Sequence, residues 1–199
     1  KIRKTIKKFK KEQKIFNDNF SNNIKNELNY ELTTDQTNAL NEINNDLKSE
    51  EKMFRLLQGD VGSGKTIVAL ISCLNVVSSG YQVAFMAPTE ILAYQHYKLA
   101  QSLVKDKIKI GFLTSKTDYS ERKRIIHNLE TNDIKLLFGT HSVFQEKINY
   151  KKLGLVVIDE QHKFGVKQRT DFANKGGKDC DVLLMSATPI PRTMMMSHY

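Results

Sequence analysis

Eight consecutive residues, Gly59, Asp60, Val61, Gly62, Ser63, Gly64, Lys65 and Thr66, fit the spacing G-x-x-x-x-G-K-[ST]. Glycines at both ends of such a loop let it curl until successive backbone N–H groups point at phosphate oxygens. A helix that begins just beyond the loop adds its positive end. Lys65 would then reach the β- and γ-phosphates of ATP, and Thr66 would offer its hydroxyl to Mg²⁺, a hard cation that takes oxygen ligands. Further along, Asp159 and Glu160 follow four apolar residues, Leu155-Val156-Val157-Ile158. Beside a phosphate loop their roles divide: Asp159 would bind Mg²⁺ through its water shell, and Glu160 would take a proton from, or orient, the attacking water. His162 has no second His or Cys at metal-ligand spacing. It reads either as a hydrogen-bonding link, with Gln161, to Ser186 or Thr188 that would report whether ATP or ADP is bound, or as a local cap of its own loop. Gln36 carries a donor and an acceptor on one amide. That suits an adenine edge, and it equally suits a surface position in the first turn of a helix.

Chemistry of this kind needs a scaffold that brings distant residues to one rim. Met53–Leu57 reads as a strand, and the apolar run from Ile67 as a helix that Gly80 stops. Strand and helix then alternate: Gln82–Met86 with a helix from Glu90 to Val104, Lys107–Leu113 with a charged helix from Ser120 to Thr131, then strands at Ile134–Phe138, Leu155–Ile158 and Val182–Met185. Upstream, Thr33 or Thr34 caps a helix that carries Ala39, Leu40, Ile43 and Leu47. Short, continuous, β-branched runs between helices predict an α/β fold whose mainly parallel sheet is covered by helices on both faces. Such sheets hold ligands at the carboxyl ends of their strands, where each polar cluster falls.

The chain has 199 residues and a net charge of +9. Residues 1–14 hold eight Lys/Arg against Glu12, so +7 of that charge lies in one segment and the remainder is nearly balanced. Ile2, Ile6, Phe9, Phe16 and Phe20 recur at helical spacing and predict a basic amphipathic helix over residues 1–28, ahead of a domain over residues 29–199. Three readings fit that helix: packing on a neighbouring domain, contact with a DNA backbone, or a membrane surface or targeting segment. No apolar run reaches the roughly eighteen residues of a membrane span. Cys73 and Cys180, far apart and in apolar surroundings, read as reduced core thiols of a cytoplasmic protein.

Gln36, Gly59–Thr66, Ala87-Pro88-Thr89-Glu90, Gly139-Thr140-His141, Asp159-Glu160-Gln161-His162 and Ser186-Ala187-Thr188 resemble, in that order, the motifs of the first RecA-like lobe of superfamily 2 helicases. More narrowly, Arg55–Thr66, Met86–Ala93, Phe164-Gly165-Val166 with Gln168-Arg169, and Ala187–Thr193 resemble the RecG family of DNA translocases. Transcription-repair coupling factors share much of this but usually carry two glutamates after the aspartate, where this chain has Glu160-Gln161. The resemblance implies an ATP hydrolase and DNA helicase that remodels stalled forks and four-way junctions in recombination and repair. It implies that Thr89, Glu90, Gly139, Thr140, His141 and the loop at Thr114 line the DNA backbone, and that Ser186, Ala187 and Thr188 couple hydrolysis to movement. Thr114-Ser115-Lys116 departs from the Thr-Gly-Ser usual at that loop. Implied partners are branched DNA, a second RecA-like lobe with arginine fingers, a junction-splitting wedge domain and single-strand-binding protein, with the protein acting as a monomer. The lobe alone is expected to bind Mg-ATP and hydrolyse it weakly. From a different class, a nucleotide-dependent switch module uses the same loop without moving on DNA.

Overall fold

The computed structural model describes residues 10–16, 22, 24, 28–105, 107–145, 148–160, 177 and 179–187. Six strands form one sheet: β1 (Phe54–Gln58), β2 (Gln82–Met86), β3 (Lys109–Leu113), β4 (Ile134–Gly139), β5 (Leu153–Ile158) and β6 (Asp181–Ser186). Their order is β1-β6-β5-β2-β4-β3, and every pairing is parallel. Four helices whose bounds fall within the described residues accompany them: α1 (Thr34–Lys48), α2 (Lys65–Ser78), α3 (Glu90–Val104) and α4 (Tyr119–Glu130), with a 3₁₀ turn at His141–Phe144. The mainly parallel, helix-covered sheet that the alternating pattern predicts is therefore the one observed.

Alternate strand residues serve two cores, as the period of two requires. Val83, Phe85, Leu155, Val157, Leu183 and Met185 face α1, α2 and α3, while Ala84, Met86, Val156, Ile158, Val182 and Leu184 face α4 and the 3₁₀ turn. Every residue of α2 from Ile67 to Val77 is buried, so this largely apolar helix is enclosed between the sheet and α1, with Ser72 bonded to Val68 O and Asn75 to Asn44. Cys73 and Cys180 are both buried free thiols, as expected. Burial pushes the Cys180 thiol up to about 12 and raises Cys73 as well.

The N-terminal segment differs from its predicted form. Residues 11–16 form neither helix nor strand, and Lys10 makes an antiparallel bridge with Glu51. The segment crosses the amino ends of the strands as a strap. Lys11 N donates to Glu50 O at 2.8 Å and Glu12 N to Asp179 Oδ1 at 2.8 Å, while Tyr81 Oη donates to Glu12 Oε2 at 2.9 Å. Lys11 and Lys14 both place their ammonium groups 2.7 Å from Asp181 Oδ2, all three side chains being fully buried. Asp181 also accepts from Met53 N at 2.7 Å, and Lys11 Nζ donates to Asp46 O and Leu47 O, both at 3.0 Å. Burial lowers the Lys11 pKa even with Asp181 beside it. A helix here would withdraw these backbone donors from their partners, which is the physical reason the amphipathic pattern is overridden over residues 10–16. Further along the predicted helix, Asn22 and Ile24 are helical, as expected, and residues 1–9, 17–21, 23 and 25–27 lie outside the described residues.

Candidate nucleotide and nucleic-acid site

Sheet order sorts the predicted site residues into two neighbouring groups. Gly59 follows β1, Ser186 ends β6 and Asp159 follows β5, three consecutive strands. Thr89 and Glu90 follow β2, Gly139 ends β4 with Thr140 and His141 just beyond it, and Thr114 follows β3, the next three. Two strand spacings, about 10 Å, separate the β1 and β5 ends.

In the first group the loop is built around left-handed glycines, Gly62 at φ +82° and Gly64 at φ +81°. A Cβ on Gly64 would stand 2.2 Å from Gln36 Nε2, so the loop and α1 meet where only glycine fits. Gln36 Nε2 donates to Ser63 O at 2.9 Å, and its Oε1 accepts from Thr33 N at 3.0 Å in a capping box at the start of α1. Both ends of the amide thus bind the chain itself and brace the loop from the side. Lys65 Nζ lies across the loop, 2.5 Å from Gly59 O and 2.7 Å from Asp60 O. Asp60, Val61, Gly62 and Ser63 are exposed, and Thr66 is half-buried. Gly64 caps α2 without any side-chain hydrogen bond, and the first turn of α2 has no acid. Ile67 N and Val68 N donate to Gly64 O at 3.1 and 3.4 Å, so it is the N–H groups of Lys65 and Thr66, with no side-chain cap, that suit an anion. Gly59 N donates to Ser186 O at 3.3 Å, which joins the loop to the end of β6. Ser186 is fully buried and Ala187 half-buried.

Asp159 is 6% exposed, and its N–H donates to Met86 O at 2.8 Å. Its Oδ1 accepts from Glu160 N at 2.9 Å, and its Oδ2 lies 2.7 Å from His96 Nε2. Glu160 has φ +48°, a left-handed conformation that costs a non-glycine residue about 1–3 kcal/mol. His162 and Thr188 lie outside the described residues. His96 escaped the sequence reading. Its signal is the buried stripe of α3, Ala93, His96, Ala100 and Leu103, where one ring nitrogen interrupts an apolar series.

The second group is tied together by side chains. Thr89 Oγ1 caps α3 by accepting from Leu92 N at 3.3 Å. Glu90 reaches the loop after β3, 2.8 Å from Lys116 Nζ and 3.4 Å from Ser115 Oγ. The Lys116 ammonium holds the Glu90 carboxyl below its ordinary value, with Thr114 and Ser115 hydroxyls assisting. Thr114 is buried; its N–H donates to Thr117 Oγ1 at 2.9 Å, and its Oγ1 accepts from Lys116 N at 3.2 Å. Gly139 packs so closely on β3 that a Cβ would stand 1.9 Å from Leu113 O. Thr140 is buried and His141 exposed.

Residues 33–196 match the profile of the DEAD/DEAH box helicases. The chain belongs to the DEAD/DEAH box helicase family. It is 51% identical over 168 residues to ATP-dependent DNA helicase RecG of Thermotoga maritima, covering 84% of this chain and 21% of the relative. It is 46% identical over 196 residues to the RecG of Aquifex aeolicus, covering 98% and 25%. The chain therefore spans about a fifth to a quarter of these relatives' length. A solved structure of RecG bound to a three-way DNA junction superposes with a TM-score of 0.83 at 41% identity, covering 96% of this chain and 25% of that one. A structure of S. cerevisiae Dbp5 shares the RecA-like helicase fold, with a TM-score of 0.68 at 19% identity over 90% of this chain and 48% of its own.

Proposed function

We propose that this chain is the first motor lobe of a RecG-type DNA translocase, one that binds Mg-ATP and couples its hydrolysis to remodelling of forks and four-way junctions. The observation that carries the reading is the uncapped, acid-free start of α2 behind a glycine loop, bonded through Gly59 N to the end of β6. That arrangement suits a polyphosphate, and a helix capped by its own side chains would not. Lys65 would exchange its two carbonyl partners for phosphate oxygens, with the backbone N–H groups of the loop as a cradle. Thr66 and Asp159 would hold Mg²⁺. Among the described residues no three His, Cys, Asp or Glu side chains cluster tightly enough to bind a metal alone, which fits a cation that keeps its waters and shares phosphate oxygens. When bound, it neutralises charge that develops on the phosphates. Both oxygens of Asp159 already accept one hydrogen bond each, so the water-shell role suits it better than direct ligation. Glu160 would orient the attacking water and take its proton, and His162 with Ser186, Ala187 and Thr188 would relay the outcome. Gln36 would contact adenine by its exposed side while bracing the loop.

The three described arginines are committed elsewhere: Arg55 to Glu42 and Asp46, Arg122 to Gln145, and Arg124 to Glu121. An arginine finger would come from a second lobe, and one is worth on the order of 10³-fold or more in rate. Thr89, Glu90, Thr114, Gly139, Thr140 and His141 would follow the DNA backbone with hydroxyls and N–H groups, which track phosphates without a basic surface. A wedge domain and single-strand-binding protein complete the proposed partners.

The test is the ATPase rate of the lobe within its parent protein, with a model fork, a four-way junction, linear duplex or stalled RNA polymerase. Fork and junction DNA should stimulate well above linear duplex, and Glu160→Gln should lower turnover by about 10²–10⁴-fold while nucleotide still binds. A requirement for the polymerase would favour the coupling-factor reading. Indifference to all four would leave a nucleotide-dependent switch.

A further inference from the structure

His96 stands on the buried stripe of α3, 8% exposed, its ring 4.9 Å from that of Phe85. A histidine in such a place commonly satisfies a backbone group. Here its partner is the acid at the end of β5, at 2.7 Å. A carboxylate has no hydrogen to give, so Nε2 carries the hydrogen and Asp159 Oδ2 accepts it. The other oxygen is held by Glu160 N at 2.9 Å. Two donors on opposite oxygens leave the carboxylate one rotation about its Cβ–Cγ bond, and each oxygen keeps a second acceptor position.

We propose that His96 is a positioning residue for Asp159, holding the carboxylate in the one orientation from which it receives the water shell of Mg²⁺ bound with nucleotide. This rests on the reading of Asp159 as the acid that faces Mg²⁺. The role is that of an outer partner: ligands and near-ligands of a cation bind it well only when their own hydrogen bonds restrict them. His96 reaches Asp159 from a helix whose cap and first residue are Thr89 and Glu90, so the acid of one strand group is restrained by an element of the other.

The test is the affinity of the full 199-residue chain for a fluorescent ATP analogue, measured in EDTA and through a Mg²⁺ titration, without turnover. His96→Leu should raise the Mg²⁺ concentration for half-maximal tightening by on the order of 10-fold, with the EDTA affinity unchanged. His96→Gln, whose amide nitrogen stands near the place of Nε2, should restore most of that shift. If the wild-type chain shows no Mg²⁺-dependent tightening, or Asp159→Asn leaves it intact, the reading of Asp159 fails. If Asp159→Asn removes the tightening while His96→Leu matches wild type, or if Leu and Gln are equally impaired, the positioning role is overturned. Loss of the EDTA affinity in His96→Leu would signal misfolding. The comparison then passes to His96→Gln against His96→Asn, whose amide falls short of Oδ2; equal Mg²⁺ midpoints in that pair would overturn the proposal.

Discussion

Strand β6 begins at Asp181 and ends at Ser186, and its two ends are treated in opposite ways. At the amino end, the charges of Lys11, Lys14 and Asp181 are sealed: Asp181 accepts from Lys11, Lys14 and Met53 N, and Lys14 also donates to Asp179 O at 2.8 Å and stands 5.0 Å from the centre of the Tyr81 ring. At the carboxyl end, α2 starts behind Gly64 with neither a capping side chain nor an acid, whereas α1 and α3 are capped by threonines and α4 carries Glu121 in its first turn. One end uses ions to hold the chain together. The other leaves donors for an anion. Charge density therefore misleads here: part of the basic N-terminal segment is structural, and the loop proposed to bind phosphate sits in a nearly neutral body.

The contrast can be broken from either end. Asp181→Ala would leave two buried ammonium groups without a carboxylate and should cost about 3–5 kcal/mol, seen as a lower urea midpoint, while the folded fraction binds nucleotide as before. A loss of nucleotide affinity without a loss of stability would contradict the division. Lys65→Ala should do the reverse. Turnover should fall by on the order of 10²–10³-fold, as for removal of one preorganised donor, with the melting temperature unchanged.

Gly139→Ala sharpens the comparison among the strand ends themselves. Its Cβ meets backbone at Leu113 O, which cannot move aside as a side chain can, so about 1–3 kcal/mol of destabilisation is expected in thermal melts. Gly62→Ala, with φ +82° and nothing within 4 Å of its Cβ, should cost only the left-handed backbone penalty of roughly 1–2 kcal/mol. Equal losses at the two positions would remove the argument from close packing at β3 and β4.

The smallest effect is expected at Glu90. Lys116 depresses its folded pKa below the ordinary glutamate value, so the contact stabilises above that unfolded value and is lost as pH falls through the folded one. Limited proteolysis of the loop at residues 114–118 should quicken over that acidic window in the wild-type chain. In Glu90→Gln the rate should be insensitive to pH there; a wild-type loop equally insensitive would show that the contact does not order it.

Much of this molecule was legible in its residues. The six strands followed from short apolar runs, with ends shifted by up to two residues, as at Lys109–Leu113 and Leu153–Ile158, the parallel sheet from their alternation with helices, and the loop from its glycine spacing. Those signals are local, carried by neighbours along the chain, and neighbours along the chain are what a sequence displays. Gln36 was half legible: its amide chemistry was evident, but not that both of its ends would be engaged by Ser63 and Thr33.

Three features depended on the tertiary fold. Sheet order β1-β6-β5-β2-β4-β3 is not chain order, and it alone placed Asp159 beside the loop group and against α3. His96 became significant only because α3 delivers it to Asp159, 63 positions away along the chain. The strap at residues 10–16 abandoned the helical pattern of its apolar residues because Asp181, 170 positions from Lys11, is a buried charge that needs its cations. Sequence by itself determined the strands and helices of the sheet domain and the glycine loop between β1 and α2, because propensity and turn geometry act over a few residues. Tertiary structure decided which acid is held, by which ring, and which charges are for folding, because desolvation and pairing depend on what the completed fold brings within hydrogen-bond distance.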